Sequence, residues 1–411
     1  MRIAYLAPEI PALSATFVYN EILALEELGN EILPISVHKP KDEAMDSRLS
    51  SLKNNVIHLY DISKFSVIKS NLYMSLLHPI CYLHTLWLLL TDMFKLGVFS
   101  RNALGLGYRF FFSAQLARLL INNNIQHLHV HFAHVPTDIA MYASKMSGVP
   151  FSVTAHANDI FERGWLLREK VARSHFFATI SDFNKRFLIN DKQVDASKLR
   201  IIRCGVDTRV FNHHQRPIIS SPVNIGVIGR LVEKKGIDTL IDAMKLLSKT
   251  SAVNFKLNIA GSGPLEVALK SQVEHSQLNA NVIFLGALAH SDVAEFISSL
   301  DLFVLPCKKD KNGDMDGIPV VLMEAMMSGV PVISSQISGI PELVINDVTG
   351  LLVEPDNVAQ LVQAIMKLTE NEMLQKSLSD EAKNKVEQEF SLLVNAQRLN
   401  ALFQTSIRAN E

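Results

Sequence analysis

Apolar residues in this chain fall into short β-rich blocks, and the stretches between them carry the 3.6-residue spacing of amphipathic helices. In the first half the blocks predict strands over residues 2–8, 31–38, 55–60, 126–132, 150–155, 176–180 and 200–206. The clearest helix between them is 16–28, with Phe17, Ile22, Leu25 and Leu28 on one stripe and Gly29 as its stop. Residues 66–121 predict a long, mostly helical insertion. The second half restarts the rhythm, with strands at 223–228, 255–260, 282–285, 302–305, 331–334 and 351–353. Its helices are expected at 236–249, 264–276, 291–299, 319–327 and 357–370, followed by a last helical segment over 374–408.

Strands alternating with helices imply βαβ units and parallel sheets. The fold class is therefore α/β, with two Rossmann-like domains. The pattern lapses over 208–221, which reads as a linker between domains 1–207 and 222–385, and a C-terminal helix (about 386–411) is expected to return to the first domain. Parallel sheets bind ligands at the carboxyl ends of their strands, so a cleft between the two halves is expected to hold the site.

Composition narrows the field. At 411 residues the chain exceeds one core, and 48% hydrophobic against 20% charged residues describes a well-filled globular interior. A net charge of −1 gives no bulk attraction to nucleic acid. Residues 1–207 carry 22 Lys and Arg against 18 Asp and Glu, and the remainder 18 against 23, so the first half is mildly cationic and the second mildly acidic. Cys81, Cys204 and Cys307 have no pairing logic and read as buried thiols in a reducing compartment, which points to the cytoplasm. The first residues, Met1-Arg2-Ile3-Ala4-Tyr5-Leu6, read as a core strand rather than a secretory leader. Residues 80–90 are strongly apolar but too short to span a bilayer, and a buried helix is the main expectation. A membrane-surface patch carrying Trp87 and Phe94 is the alternative.

Several clusters carry chemistry. Gly229-Arg230-Leu231 and Lys234-Lys235-Gly236 follow a strand; Gly229 lets a ligand approach the backbone, and Arg230 and Lys235 suit a diphosphate. Gly261-Ser262-Gly263-Pro264 follows the next strand and opens a helix. Asp316 precedes a Gly317-Ile318-Pro319-Val320 turn, and Glu324 stands inside an apolar helix, where a carboxylate is costly without a partner. If 319–324 is helical, Glu324 lies about 7.5 Å along the axis from Pro319. His127, His129 and His131 share one strand face, with His134 beyond; lining of a polar cleft is expected of them rather than zinc. His156 sits just past a strand, placed to bond sugar hydroxyls or to stabilise developing charge.

Taken together these residues resemble the retaining glycosyltransferases of family four, which have the two-Rossmann GT-B architecture, and within it the subgroup that makes exopolysaccharides such as colanic acid. The matching pieces are Gly229-Arg-Leu-x-x-Lys-Lys-Gly236, Gly261-Ser-Gly-Pro264, Asp316-Gly-Ile-Pro-Val-Val-Leu-Met-Glu-Ala-Met326, Ser338-Gly-Ile-Pro-Glu342 and Gly350-Leu-Leu-Val-Glu-Pro355. In the first half they are Leu13-Ser-Ala-Thr-Phe17, Thr154-Ala-His-Ala-Asn-Asp159, Thr179-Ile-Ser181 and Arg203-Cys-Gly-Val-Asp207. The resemblance implies a nucleotide-sugar donor on the second domain and a saccharide acceptor, lipid-linked in some members, on the first. It implies that Arg230 and Lys235 neutralise the departing diphosphate, and that Glu324 binds the ribose. Asp316 and the turn Gly317–Val320 would hold the donor sugar and phosphate, and His156 would contact the sugar near its reacting carbon. It implies no metal and no cofactor besides the donor, retention through front-side attack, and a cytoplasmic enzyme at the inner face of the plasma membrane. The family pattern has Glu where this chain has Asp316, with Asp314 as a nearby alternative, and a glycine pair where it has Pro11-Ala-Leu-Ser14. A nucleotide-sugar 2-epimerase or a non-catalytic nucleotide-sugar binder would share the fold.

Overall fold

A computed structural model describes residues 1–12, 15–40, 49–211 and 221–409. The expected Leu13-Ser14 match and most of the expected linker lie outside these residues. The chain divides into two compact units, Met1–Ile202 with Ala396–Glu411, and Arg203–Asn395.

The first unit is built on strands β1 (Arg2–Ala7), β2 (Glu31–Ser36), β3 (Ile57–His58), β4 (His127–His131), β5 (Phe151–Ala155), β6 (Phe177–Thr179) and β7 (Leu199–Ile201). They form one parallel sheet in the order β3-β2-β1-β4-β5-β6-β7. The second unit holds β8 (Val223–Ile228), β9 (Phe255–Ala260), β10 (Val282–Gly286), β11 (Leu302–Leu305), β12 (Val332–Ser335) and β13 (Leu351–Val353). This sheet is also parallel, in the order β10-β9-β8-β11-β12-β13. Both are doubly wound. Strand order reverses beside the first strand of each unit, between β1 and β4 and between β8 and β11, and crevices for ligands open at such switch points. Every predicted strand is present. The runs read as continuous hydrophobic blocks because helices cover both faces of a parallel sheet.

Two predicted elements differ. The last helical segment is broken into Glu372–Glu389 and Leu392–Arg408. Val206 interrupts it, donating its N–H to Phe390 O and accepting from Leu392 N at 2.9 Å each. This approach requires Gly205, where a Cβ would stand 2.4 Å from Leu392 Cα. Arg203, from the same motif, pairs with Glu342 at 2.8 Å and lies over the Phe390 ring. Both motif residues thus hold the second unit together.

The insertion also differs from its main expectation. It forms helices Lys64–Leu77, Pro79–Lys95 and Arg101–Asn122, but the middle one is not a buried helix. Ile80, Leu83, Trp87, Leu90 and Phe94 are exposed, and Trp87 keeps 65% of its surface. The inward face is narrow and partly polar. It carries Thr85, Leu89 and Asp92, and Asp92 is fixed by Arg173 at 2.6 Å and by the Tyr142 hydroxyl at 2.8 Å. No single described helix is long and apolar enough to cross a membrane, although the first two, bent by 115°, reach that length and composition together.

Candidate active site

In the second unit the loop leaving β8 and the loop leaving β9 are locked together. Gly229 N donates to Ala260 O at 3.0 Å and Leu231 N to Ser262 O at 2.9 Å. The glycines are steric requirements of this contact. A Cβ on Gly261, at φ +139°, would stand 1.9 Å from Gly229 O, and one on Gly263 would stand 2.6 Å from Leu231 O. Gly229 itself lies under the Lys235 stem, whose Cε would be 3.3 Å from an added Cβ. Gly236, at φ +64°, is pressed against Pro306 O, so the β8 loop also abuts the exit of β11.

Charge gathers at that switch point. Lys235 Nζ lies 2.7 Å from Asp316 Oδ2, and Lys234 Nζ lies 2.8 Å from Asp314 Oδ2 and 3.5 Å from Asp316 Oδ1. Cys307, just past β11, directs its thiol to Asp316 Oδ2 at 3.5 Å. Burial works against the Lys235 ammonium, but Asp316 outweighs it and the net shift is upward. Burial likewise opposes the Asp316 carboxylate, and Lys235 and Lys234 hold it below the usual range. Burial and the neighbouring Asp316 push the Cys307 thiol up, so it is no nucleophile. Arg230 is exposed and has no side-chain partner among the described residues.

Pro319 caps helix Val320–Met327, whose Leu322 N–H donates to Pro319 O at 3.1 Å, and the amides of Val320 and Val321 precede the helical ladder. Glu324 is buried in this helix, 6% exposed, and its carboxylate has no hydrogen bond or ion pair among the described residues. Burial raises its pKa to about 7. The neighbours Leu322, Met323, Ala325 and Met326 are fully buried and apolar, so none of them answers the charge.

The first unit holds a different cluster. His127, His129 and His131 do share one face of β4, but they are buried, with no exposure above 1%, so they do not line a polar cleft. A central strand of a covered parallel sheet has no wet face. Ser152 Oγ bridges His127 and His129 at 2.7 and 2.8 Å, and Thr154 Oγ1 lies 3.1 Å from His129 Nε2. Tyr5 on β1 donates its hydroxyl to Glu21, a carboxylate from helix Thr16–Glu27, and both oxygens lie 3.0 Å from His131 Nε2. His131 Nδ1 in turn lies 3.1 Å from His156 Nε2. His156 packs between Phe17 and Phe132, with ring centroids at 4.6 and 4.7 Å, and its backbone N–H is held by Asp159. Phe132, at φ +72°, occupies the left-handed region that bulky residues avoid. Burial lowers the pKa of His127 and His134 to about 3 and those of His129 and His156 well below their usual value. The sequence shows no carboxylate beside His129 or His131, yet the fold supplies Glu21, and Glu21, His129 and His131 could hold a cation by spacing alone. Their ligand atoms already satisfy one another and Thr154, so hydrogen bonding accounts for the arrangement.

Sequence reasoning placed Gly229, Lys235, Asp316 and the turn before Glu324 in loops that follow strands, and the structure gathers them beside one switch point. That reasoning missed Lys234 and Cys307 as partners there, while Asp314, the nearby alternative to Asp316, pairs with Lys234. It also missed Lys308, which follows β11 and binds Asp238 and Asp356 at 2.6 and 2.9 Å. Position after a strand end was the available signal for Cys307 and Lys308. No signal marks Tyr5 or Glu21.

Residues 210–385 match the family described as glycosyl transferases group 1, and residues 95–210 match glycosyltransferase family 4. The amylovoran biosynthesis glycosyltransferase AmsK of Erwinia amylovora is 35% identical over 196 residues, 48% of each chain. The putative colanic acid biosynthesis glycosyltransferase WcaL of Escherichia coli K12 is 37% identical over 211 residues, 50% of this chain and 51% of that one. The chain thus aligns with about half the length of these curated relatives. A glycosyltransferase from Rickettsia africae shares the fold at TM-score 0.70 and 16% identity over 99% of both chains. Anabaena Alr3699/HepE, solved with UDP and glucose, does so at TM-score 0.72 and 15% identity, over 98% of this chain and all of that one. These likenesses give the fold, the two-unit α/β architecture of GT-B.

Proposed function

Because the chain belongs to the group 1 glycosyl transferases of family 4, we propose that it moves a hexose from a nucleoside-diphosphate donor to a saccharide acceptor, with retention, in making an exopolysaccharide or another cell-surface glycan. The observation that carries this reading is the Lys235–Asp316 pair at the switch point between β8 and β11. An ammonium held there by one carboxylate can meet a diphosphate with little reorganisation, which is how preorganised charge stabilises a leaving group. In this reading Lys235 and Arg230 take the departing diphosphate, and the locked loops at Gly229, Gly261 and Gly263 give it a backbone bed. Asp316 and the turn Gly317-Ile318-Pro319-Val320 hold the donor sugar and phosphate. Glu324 accepts the ribose hydroxyls, partners that it lacks among the described residues. His156 meets the sugar near the reacting carbon. No metal and no further cofactor is called for. AmsK and WcaL, named for exopolysaccharide biosynthesis, support the class of product.

The same reading includes a lipid-linked acceptor and contact with the inner face of the plasma membrane. Phe65, Leu72, Leu76, Ile80, Trp87 and Phe94 are exposed along two consecutive helices, with Lys64 and Lys69 among them and Arg101 at the start of the next. Such a surface suits the interface of an anionic bilayer. Flotation with phosphatidylglycerol vesicles tests this: wild type should float and a Trp87→Glu/Phe94→Glu variant should not, and equal partitioning removes the membrane from the account.

Incubation with a panel of nucleotide sugars tests the reaction. The account expects slow release of nucleoside diphosphate and free sugar from one donor without acceptor, and faster release with acceptor, the product keeping the donor's anomeric configuration by NMR. Conversion of the donor to its 2-epimer, or binding without turnover, would refute it.

A further inference from the structure

The buried chain Tyr5–Glu21–His131–His156 has a direction. An ionised carboxylate accepts hydrogen bonds and donates none. Tyr5 directs its proton to Glu21, which leaves the phenol oxygen as an acceptor. His131 Nε2, 3.0 Å from both oxygens, faces two acceptors and must carry a proton. In a neutral imidazole the other nitrogen is then bare. His131 Nδ1 lies 3.1 Å from His156 Nε2, so His156 has to donate from Nε2, and its Nδ1 keeps the lone pair. The rings cannot rotate out of this arrangement: Phe17 and Phe132 clamp His156, and His131 stacks on it at 21° between ring planes.

We propose that Glu21, acting through His131, fixes which ring nitrogen of His156 carries its proton, so that His156 presents a proton-accepting Nδ1. Glu21 and His131 are positioning residues. The consequence for catalysis rests on the reading that His156 meets the substrate, where an acceptor nitrogen would recognise a sugar hydroxyl as donor. The assignment of the proton does not rest on it. A carboxylate behind a histidine sets the tautomer of metal-binding and catalytic imidazoles in the same way.

Nitrogen-15 NMR of histidine-labelled full-length protein at pH 8, above the usual imidazole pKa of about 6.5, reads each tautomer directly. Wild type should show His131 and His156 both protonated at Nε2; a His156 protonated at Nδ1 overturns the proposal with no variant needed. Glu21→Met removes the acceptor and leaves the Tyr5 hydroxyl to donate to His131 Nε2, so both tautomers should invert. Unchanged tautomers in a folded Glu21→Met protein would overturn it. Glu21→Gln keeps an accepting oxygen and Tyr5→Phe keeps the carboxylate, so both should retain the wild-type pattern, and inversion in either would count against the relay. If Glu21→Met does not fold, the wild-type and Glu21→Gln spectra decide. One equivalent of tightly bound zinc in the purified protein would also overturn it, because His131 Nε2 would then be a ligand. Transfer assays separate the two readings. Inversion with at least a ten-fold loss in kcat and little change in donor KM supports both. Inversion with unchanged transfer keeps the relay and removes His156 from the proposed site.

Discussion

The two units place ionisable groups around the switch points of similar sheets and stabilise them in opposite ways. In the second unit the groups stand on loops beyond β8 and β11; Lys235 and Asp316 keep each other charged, and Lys234 pairs with Asp314. In the first unit they stand within β4 and just past β5; burial keeps His127, His129 and His156 neutral, and hydroxyls and one carboxylate join the cluster. A loop at a strand end can exchange its internal partners for a ligand's charge. A strand buried on both faces offers fixed hydrogen-bond polarity. The second unit is thus equipped to grip an anion and the first to orient a single ring.

The largest way to break this comparison is pH. His127 and His134 are depressed to about 3, and His129 and His156 well below the usual value, so the unfolded chain binds protons first as pH falls. Their contribution to stability is complete above about 6.5 and is lost as pH falls toward 3. Asp159, raised to about 6 by burial, works against them between its usual value and 6. Glu324 runs the other way: with a folded pKa near 7, its unit loses stability as pH rises from about 4.5 through 7. Hydrogen exchange at pH 5 and pH 8, corrected for intrinsic rate, should show β4 and β5 less protected in acid and helix Val320–Met327 more protected. Parallel changes in both units would erase the contrast.

Next in size is Lys235→Ala. Removing one preorganised charge from the leaving group should lower kcat/KM roughly 10²–10³-fold, about 3–4 kcal/mol, with the far-UV spectrum unchanged. Retention of full transfer would move the diphosphate away from the β8 loop. Glu324→Met sharpens the comparison further, because it should stabilise the free protein while abolishing donor binding. The shift from 4.5 to about 7 corresponds to roughly 3 kcal/mol above pH 7, absent at pH 4. Urea unfolding at the two pH values reads it, and equal effects at both would contradict burial as the cause. The smallest effect is Gly261→Ala, whose new Cβ collides with Gly229 O and should cost about 2 kcal/mol, with weakened nucleotide binding. A neutral substitution would mean that the two loops are not locked.

The contrast also decides what the sequence could reveal. Hydrophobic blocks report burial, so all thirteen strands were legible, whereas the strand order that sets the switch points was not. Glu324 stood out because a carboxylate breaks an apolar helical pattern, and Gly229 and Lys235 because turns after strands are short-range features. The partners were not legible. Lys234 meets Asp314 across 80 positions and Glu21 meets His131 across 110, distances at which only the folded sheet brings residues together. The exposed face of helix Pro79–Lys95 was misread as buried, because an apolar run has the same composition whether protein or lipid is to cover it.

The central claim is that the second unit holds a nucleoside diphosphate with Glu324 and Lys235 as its contacts. A thermal-unfolding panel of nucleoside diphosphates on wild type and Glu324→Met at pH 8 tests it most directly. At about 100 times its dissociation constant one of them should stabilise wild type by roughly 2.7 kcal/mol. The same compound should leave Glu324→Met, itself the more stable protein, unshifted. An equal shift in both proteins, or no shift in wild type with any nucleoside diphosphate, would contradict the account.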